Sequence, residues 1–358
     1  MALGAKFSEF GGWEMPLEYP SGVLKEHAAV RERVGVFDVS HLGKLVVRGP
    51  GARGFINSVM TNDLDRIEPG KAQYTLCCDE ATGGVVDDLI VYLRSDDDLL
   101  LVPNAANTAE VKRRLDAAAP EGITIEDEHR SHVVLAVQGT RSDEVLDALG
   151  LPTGHEYMSY VQAPYAGHDV VVCRSGYTGE RGYELIAPNA VAVPLWEAIL
   201  AAGAPFDILP CGLGARDTLR TEMGYPLHGQ DLGPTITPSM ALTGWAVGWD
   251  KPSFWGRDVL LAQKAAGIPR VLRGLIAAGR GIPRPGMVVR DGAAPEGGGE
   301  IGEITSGTFS PTLRKGIALA LVDKTLPMDT EVQVDIRGKG EPFVLTRPPF
   351  VQPEVKES

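Results

Sequence analysis

The chain has 358 residues, with 34 Lys and Arg against 47 Asp and Glu, a formal net charge of −13, and 44% apolar residues. That length exceeds the roughly 250–300 residues at which single cores stop growing, so two or more domains are expected. The acidic balance makes a phosphate backbone a poor default partner, and no apolar run approaches the ~20 residues that span a bilayer.

In chain order, apolar spacing predicts a helix over 23–34, strands over 44–48, 84–93 and 98–103, and a helix over 105–119. Next come a strand over 132–138, a helix over 142–149, strands over 168–174 and 182–187, and helices over 189–202 and 213–223. A strand over 245–250 and a helix over 257–266 close this part. Strands and helices mix irregularly, which points to an α+β fold rather than a doubly wound parallel sheet. After about residue 268 helical periodicity disappears. Strands over 271–277, 287–290, 301–305, 316–322, 331–336 and 343–346 succeed one another at short intervals, the pattern of a small β-barrel or sandwich. The expected division is therefore 1–266, an α+β region with room for two intertwined subdomains, and 267–358, a β-barrel domain.

The first ten residues, MALGAKFSEF, have neither the long apolar core of a secretory signal nor the Arg- and Ser-rich character of a transit peptide. Cys77, Cys78, Cys173 and Cys211 form no CxxC pair, so neither a disulfide framework nor structural zinc is expected, and a reducing cytoplasm fits.

Three segments carry candidate chemistry. In GGVVDDLIVY, residues 83–92, two adjacent carboxylates interrupt an apolar strand. Neighbours in a strand point to opposite faces, so Asp87 and Asp88 cannot both be solvated if one face is core; the alternative is one exposed and one capping a turn. In RSGYTGERGYEL, residues 174–185, Gly176, Gly179 and Gly182 allow a close turn beside Tyr177. Glu184 lies beyond them in an apolar strand, where a buried carboxylate can accept two parallel N–H donors; an ordinary hairpin with Glu184 outward is the alternative. In CGLGARDTLRTEMGYPLHGQD, residues 211–231, a Gly-rich entry to a helix resembles an anion-binding start without being a P-loop. Arg216 and Arg220 share one face of that helix, which an Asp217–Arg220 surface pair would also explain.

Two motif matches are set aside. GGGEIG, residues 297–302, formally fits G-x-G-x-x-G but precedes a strand rather than a helix. His129 and His132 have no ligand cluster beside them, and no metal site is expected. Residues 264–290 hold Lys264, Arg270, Arg273, Arg280, Arg284 and Arg290 with no acidic residue, a local charge reversal. It reads either as a solvated face or as a patch for an anionic ligand or acidic partner.

Taken together, FGGWEMPLEY, GVFDVSHLGK, GGVVDDLIVY, GYTGERGYEL, GLGARDTLR and GEITSGTFSPTLRKGIALALV occur in the order seen in the aminomethyltransferase family, the T-proteins of the glycine cleavage system, and the chain resembles that family over nearly its whole length. The resemblance implies a duplicated folate-binding α+β region followed by a small C-terminal Greek-key β-barrel. It also implies transfer of a methylene group from an aminomethylated lipoyl arm, carried by H-protein, to tetrahydrofolate as co-substrate. Ammonia leaves, and no metal, flavin or nucleotide takes part. By the same resemblance Asp88 is the acid/base carboxylate, Glu184 grips the pterin, Arg216 contacts folate, and Tyr74, Asn104, Tyr177 and Tyr225 line the pocket. A monomer that meets its carrier transiently is the default.

The chain departs from the family at LHGQD, where His228 stands in a Tyr position. Its tail FVQPEVKES also lacks the Tyr or Arg that members place near the substrate, and the loop 291–300 is expected to be a solvent-exposed insertion. Two other readings stay open. One is a stand-alone folate-dependent demethylase. The other is a non-catalytic folate-binding protein, against which the presence of Asp88, Glu184 and Arg216 speaks.

Overall fold

The computed structural model describes residues 3–292 and 298–352. The expected insertion at 291–300 and the tail therefore fall partly outside the described residues, as does Gly297 of the GGGEIG match. The chain forms two compact units. Apart from its last residues, one comprises the chain up to Cys77 with Asp87–Arg216, and the other Cys78–Val86 with Asp217–Gln352.

The first unit opens with an antiparallel hairpin of β1 (Lys6–Phe10) and β2 (Trp13–Glu18), then α1 (Val23–Glu32) and β3 (Gly35–Asp38). Beyond β3, one pattern is used twice. It runs first as β4 (Leu45–Arg48), α2 (Ala52–Val59), the run β5 (Ala72–Cys78), β6 (Val85–Ser95) and β7 (Asp98–Val102), α3 (Thr108–Ala118) and β8 (Thr124–Asp127). It runs again as β9 (His132–Gln138), α4 (Ser142–Ala148), the run β10 (Tyr160–Tyr165), β11 (His168–Cys173) and β12 (Gly182–Pro188), α5 (Ala192–Gly203) and β13 (Leu209–Cys211). The sheet orders repeat too: β5-β6-β7-β4-β8 in one, β10-β11-β12-β9-β3-β13 in the other, where β3 is inserted and pairs in parallel with β13. The implied duplication is present.

Chemistry explains why these segments fold as they do. In β9 and β12, Leu135, Val137, Tyr183, Leu185 and Ala187 alternate onto one face and meet Leu195 and Ile199 of α5 in a shared core. Each such fully buried aliphatic side chain contributes roughly 1.5–3 kcal/mol. The segment 189–206 is apolar enough by composition to cross a membrane, yet it lays Leu195 and Ile199 into this core.

The helix α6 (Leu213–Met223) runs on into the second unit, which also holds α7 (Arg257–Ala266). There β14 (Arg270–Ala277), β15 (Val288–Asp291), β16 (Glu300–Ser310), β17 (Lys315–Asp323), β18 (Glu331–Ile336) and β19 (Lys339–Thr346) close a barrel in the order β14-β17-β16-β15-β18-β19. Strands β15, β16 and β17 are consecutive neighbours with β14 returned beside β17, which is a Greek key.

The strand predicted over 245–250 does not form. Residues 244–246 make a short 3₁₀ turn, and the Trp249 indole donates to Gly244 O at 3.0 Å with Lys264 Nζ 4.2 Å from its ring. Gly244 opens the turn and Gly248 interrupts the apolar run, which favours a turn over an extended strand.

Candidate functional site

Strand β6 carries the acidic pair. Asp87 is fully buried and Asp88 half-buried, so the alternation of the strand sends one carboxylate into the protein and the other toward its surface. The chain after β7 turns back to serve both. Asn104 donates from its backbone N to Asp87 Oδ2 at 3.1 Å, and from Nδ2 at 2.9 Å to each of Asp87 Oδ1, Asp88 Oδ1 and Asp88 O. Asn107 Nδ2 adds a 2.7 Å bond to Asp87 Oδ1, and the Tyr74 phenol donates to Asp88 Oδ2 at 2.9 Å. Burial and the adjacent Asp88 carboxylate push the Asp87 pKa up, to about 8, against the amide donors that favour its charged form. Burial and Asp88 likewise raise the Tyr74 pKa, so the phenol keeps its proton and stays a donor.

On β12, Glu184 is buried and its Oε2 accepts from Ser175 Oγ at 2.6 Å; Ser175 Oγ lies 3.2 Å from the Tyr92 phenol. Arg216, on the first turns of α6, holds its guanidinium 4.8 Å from the ring centre of Tyr177. Its Nη1 is buried with no hydrogen-bond partner, an unusual state for a guanidinium N–H and one that a ligand acceptor would relieve. Burial lowers the Arg216 pKa, and the Glu184 charge opposes that shift. Tyr177 in turn acts electrostatically on Tyr74. The chain thus gathers Asp88, Tyr74, Asn104, Tyr177, Glu184 and Arg216 within one compact unit.

Tyr225 belongs to the second unit, where it is half-buried and its carbonyl accepts from Arg220 Nη1 at 3.3 Å. There too Arg220 forms the expected pair with Asp217, at 2.7 Å, but its stronger tie is to the fully buried Asp231 at 2.9 Å. His228 Nε2 lies 3.0 Å from Val85 O.

The entry to α6 does not wait for an external anion. Gly212 N donates to Glu26 Oε2 at 2.9 Å, so a buried carboxylate of α1 already occupies the helix start. Sequence reasoning also misses Asn107, which bonds Asp87, Ser175, which bonds Glu184, and Tyr92, whose phenol lies against Ser175. Ser175 sits inside a Gly-rich segment, where composition predicts only a turn. Of the basic stretch, Lys264, Arg280 and Arg284 are exposed, whereas Arg270 approaches Glu300 and Asp323 at 3.8 and 3.6 Å. Among the described residues no cluster of His, Cys, Asp and Glu fit to hold a metal is present.

His41 lies close enough to Arg216 to feel its charge. The ring is 3% exposed, meets Phe10 edge-on at 5.3 Å, and leaves Nδ1 buried without a partner. Burial first, then Arg216, depresses its pKa from 6.5 to about 3. Between those values the unfolded chain binds a proton that the folded chain refuses. Stability from this group is complete above pH 6.5 and falls as pH drops toward 3, by at most about 1.4 kcal/mol per pH unit. Urea unfolding of His41→Phe between pH 4 and 7 is expected to show a correspondingly flatter slope than the parent; equal slopes would refute the assignment.

Residues 1–251 match the GCVT N-terminal domain family, and residues 270–352 match the glycine cleavage T-protein C-terminal barrel domain family. The chain is 61% identical over 350 residues to an aminomethyltransferase of Parafrankia sp. (strain EAN1pec), covering 98% of this chain and 94% of that one. It is 58% identical over 352 residues to an aminomethyltransferase of Mycobacterium leprae, with the same two coverages. Among solved structures, the glycine cleavage system aminomethyltransferase T from Bartonella henselae superimposes with a TM-score of 0.91 at 34% identity, over 98% of this chain and 95% of the other.

Proposed function

The chain belongs to the glycine cleavage T-protein family, and from that premise we propose that Asp88 is its acid/base carboxylate, with Glu184, Arg216 and Tyr177 as the folate grip. Its activity is aminomethyltransfer. The methylene of an aminomethyl group on the lipoyl arm of H-protein passes to tetrahydrofolate, yielding ammonia and 5,10-methylenetetrahydrofolate.

The balance of that reaction defines what the protein must do. Carbon loses its bonds to sulfur and to the amine nitrogen and gains bonds to two folate nitrogens. The two protons released by those nitrogens end on ammonia and on the lipoyl thiol. A carboxylate beside the attacking nitrogen can take a proton as the new bond forms and hand it on. The observation that carries this role is the bracing of Asp88: Tyr74 holds one oxygen and Asn104 the other, so the group is aimed before substrate arrives. We assign Tyr74 and Asn104 to that bracing rather than to stacking on folate. For the pterin, its ring N–H and exocyclic amine form a two-donor edge that suits the Glu184 carboxylate, and the unpartnered Arg216 Nη1 supplies a donor for a ring acceptor. Tyr225 remains a proposed further pocket residue.

The proposed division of labour is 1–266 for folate and 267–358 for the barrel. Lipoylated H-protein is the proposed partner, met by a cytoplasmic monomer, a setting in line with four buried cysteines outside any disulfide. Incubation with aminomethylated lipoyl carrier and tetrahydrofolate tests the whole reading, with ammonia and methylenetetrahydrofolate measured together. Folate-dependent release of both is expected; none would overturn it and favour the demethylase or folate-binding alternatives. Arg273→Glu with Arg280→Glu is expected to weaken carrier docking more than folate binding. Unchanged carrier affinity at low salt would return the basic stretch to a solvated face.

A further inference from the structure

Gln138, the last residue of β9, is fully buried and is not among the groups assigned above to substrate. Its surroundings are a loop folded around one amide. A Cβ on Gly176 would stand 2.1 Å from Gln138 Oε1, and one on Gly182 would stand 2.5 Å from its Nε2, so both glycines exist to admit this side chain. Of the three glycines in the segment only Gly179, at φ 83°, is there for backbone conformation. Gln138 Nε2 donates to Ser175 O at 3.1 Å and to Tyr183 O at 3.3 Å, and its Oε1 accepts from Thr178 Oγ1 at 2.8 Å. From outside, Arg31 Nη1 donates to Thr178 O at 2.8 Å and to Glu180 Oε1 at 2.7 Å.

Every carbonyl and hydroxyl bonded by the Gln138 side chain lies on the segment bearing Ser175, Tyr177 and Glu184. Ser175 in turn donates to Glu184, and Tyr177 stacks on Arg216. We infer that Gln138 is a positioning residue for the pterin end of folate. It holds Ser175 and Tyr183, the residue before Glu184, at a fixed separation, and through them sets where the Glu184 carboxylate faces. A buried amide suits the task because its donor and acceptor ends bind different parts of the loop in a fixed order, which an apolar residue cannot impose. The inference rests on the reading of Glu184 as the pterin-binding carboxylate.

Two variants and one substrate change test it. Gln138→Met keeps side-chain length and removes all three hydrogen bonds; Thr178→Val removes one and is the gentler change. The expected result is a KM for tetrahydrofolate raised about tenfold in Gln138→Met and about threefold in Thr178→Val, the scale of one to two lost hydrogen bonds. In both variants, kcat at saturating folate and KM for the aminomethylated carrier stay within about twofold of the parent. A folate analogue lacking the 2-amino group should be discriminated against less strongly by Gln138→Met than by the parent, a loss that lowered stability alone would not produce. Glu184→Gln is measured alongside. If it raises the folate KM while both Gln138→Met and Thr178→Val leave it unchanged, the positioning role is wrong and the Glu184 reading stands. If Glu184→Gln leaves the folate KM unchanged, the Glu184 reading itself falls. Should Gln138→Met not fold, Thr178→Val decides on the same readouts.

Discussion

Replacing Asp88 by Asn is expected to lower turnover by about 10²–10⁴-fold while tetrahydrofolate affinity stays within a few-fold of the parent. The amide is nearly isosteric and keeps an oxygen for Tyr74 or Asn104, but it cannot take a proton from a folate nitrogen. Its NH₂ must face one of two N–H or O–H donors that now aim at carboxylate oxygens 2.9 Å away, which accounts for a modest affinity change. Asp87→Asn is the contrasting case. Its amide would meet donors from Asn104 and Asn107 at 2.7–3.1 Å in a fully buried site, so the expected result is a loss of about 1–3 kcal/mol of stability. Single-turnover kinetics with folate-binding titrations separate the two. A fully active Asp88→Asn enzyme beside an inactive, well-folded Asp87→Asn enzyme would transfer the acid/base role to Asp87.

Replacing Asp231 by Ala is expected to destabilise the second compact unit by about 3–5 kcal/mol, because it strands the charge of Arg220 in the interior. The Arg220 side chain is 2% exposed and that of Asp231 0%, with N and O 2.9 Å apart. The other oxygen of Asp231 accepts from Thr305 Oγ1 at 2.5 Å, and Ser306 Oγ donates to Oδ2 at 2.7 Å, so the pair also ties α6 to strand β16. Asp217 binds the same guanidinium at 2.7 Å but is 46% exposed, and water replaces it at little cost. Asp217→Ala is therefore expected to change stability by under about 1 kcal/mol. Urea unfolding of the two variants side by side checks the contrast, and equal losses would show that burial does not govern this network.

The two carboxylate sites are unequally legible in the sequence. The adjacent Asp87 and Asp88 in an apolar strand announce a conflict between charge and burial, and strand alternation alone says one must go inward. Nothing in the sequence says that Asn104 and Asn107, on the turn into α3, come back to hold them. For Glu184 the apolar strand around it is visible, but its partner Ser175 looks like turn composition. Three glycines in that segment read as one kind of signal. Only Gly179 answers to backbone conformation, while Gly176 and Gly182 make room for Gln138, about forty residues away in the chain. The helix α2 escapes the sequence reading although Ala52, Phe55, Ile56 and Val59 have helical spacing and are buried, because eight residues after a glycine carry no capping signal. At 245–250 an apolar run bounded by Gly and Asp reads as a strand, and Gly244 and Gly248 favour a turn there instead.

With the roles of Asp88, Glu184 and Arg216 left to the family resemblance as proposals, the sequence by itself determined the α+β class, the change of texture into a strand-rich C-terminal part and the run of ordered motifs. These are local properties: period, turn residues, and a charged side chain in an apolar neighbourhood. The tertiary structure alone decided which strands carry the implied duplication, that Glu26 fills the start of α6, and that Tyr74 and Asn104 brace Asp88. It also decided that Arg220 is buried against Asp231 in addition to its pair with the exposed Asp217. Each of these depends on groups far apart in the chain meeting at hydrogen-bond distance, and the energy of such a meeting comes from shared exclusion of water, which no local pattern encodes. The net charge of −13 bears on none of these features. It speaks to solubility, and a whole-chain sum says nothing of where a single cation such as Arg216 stands.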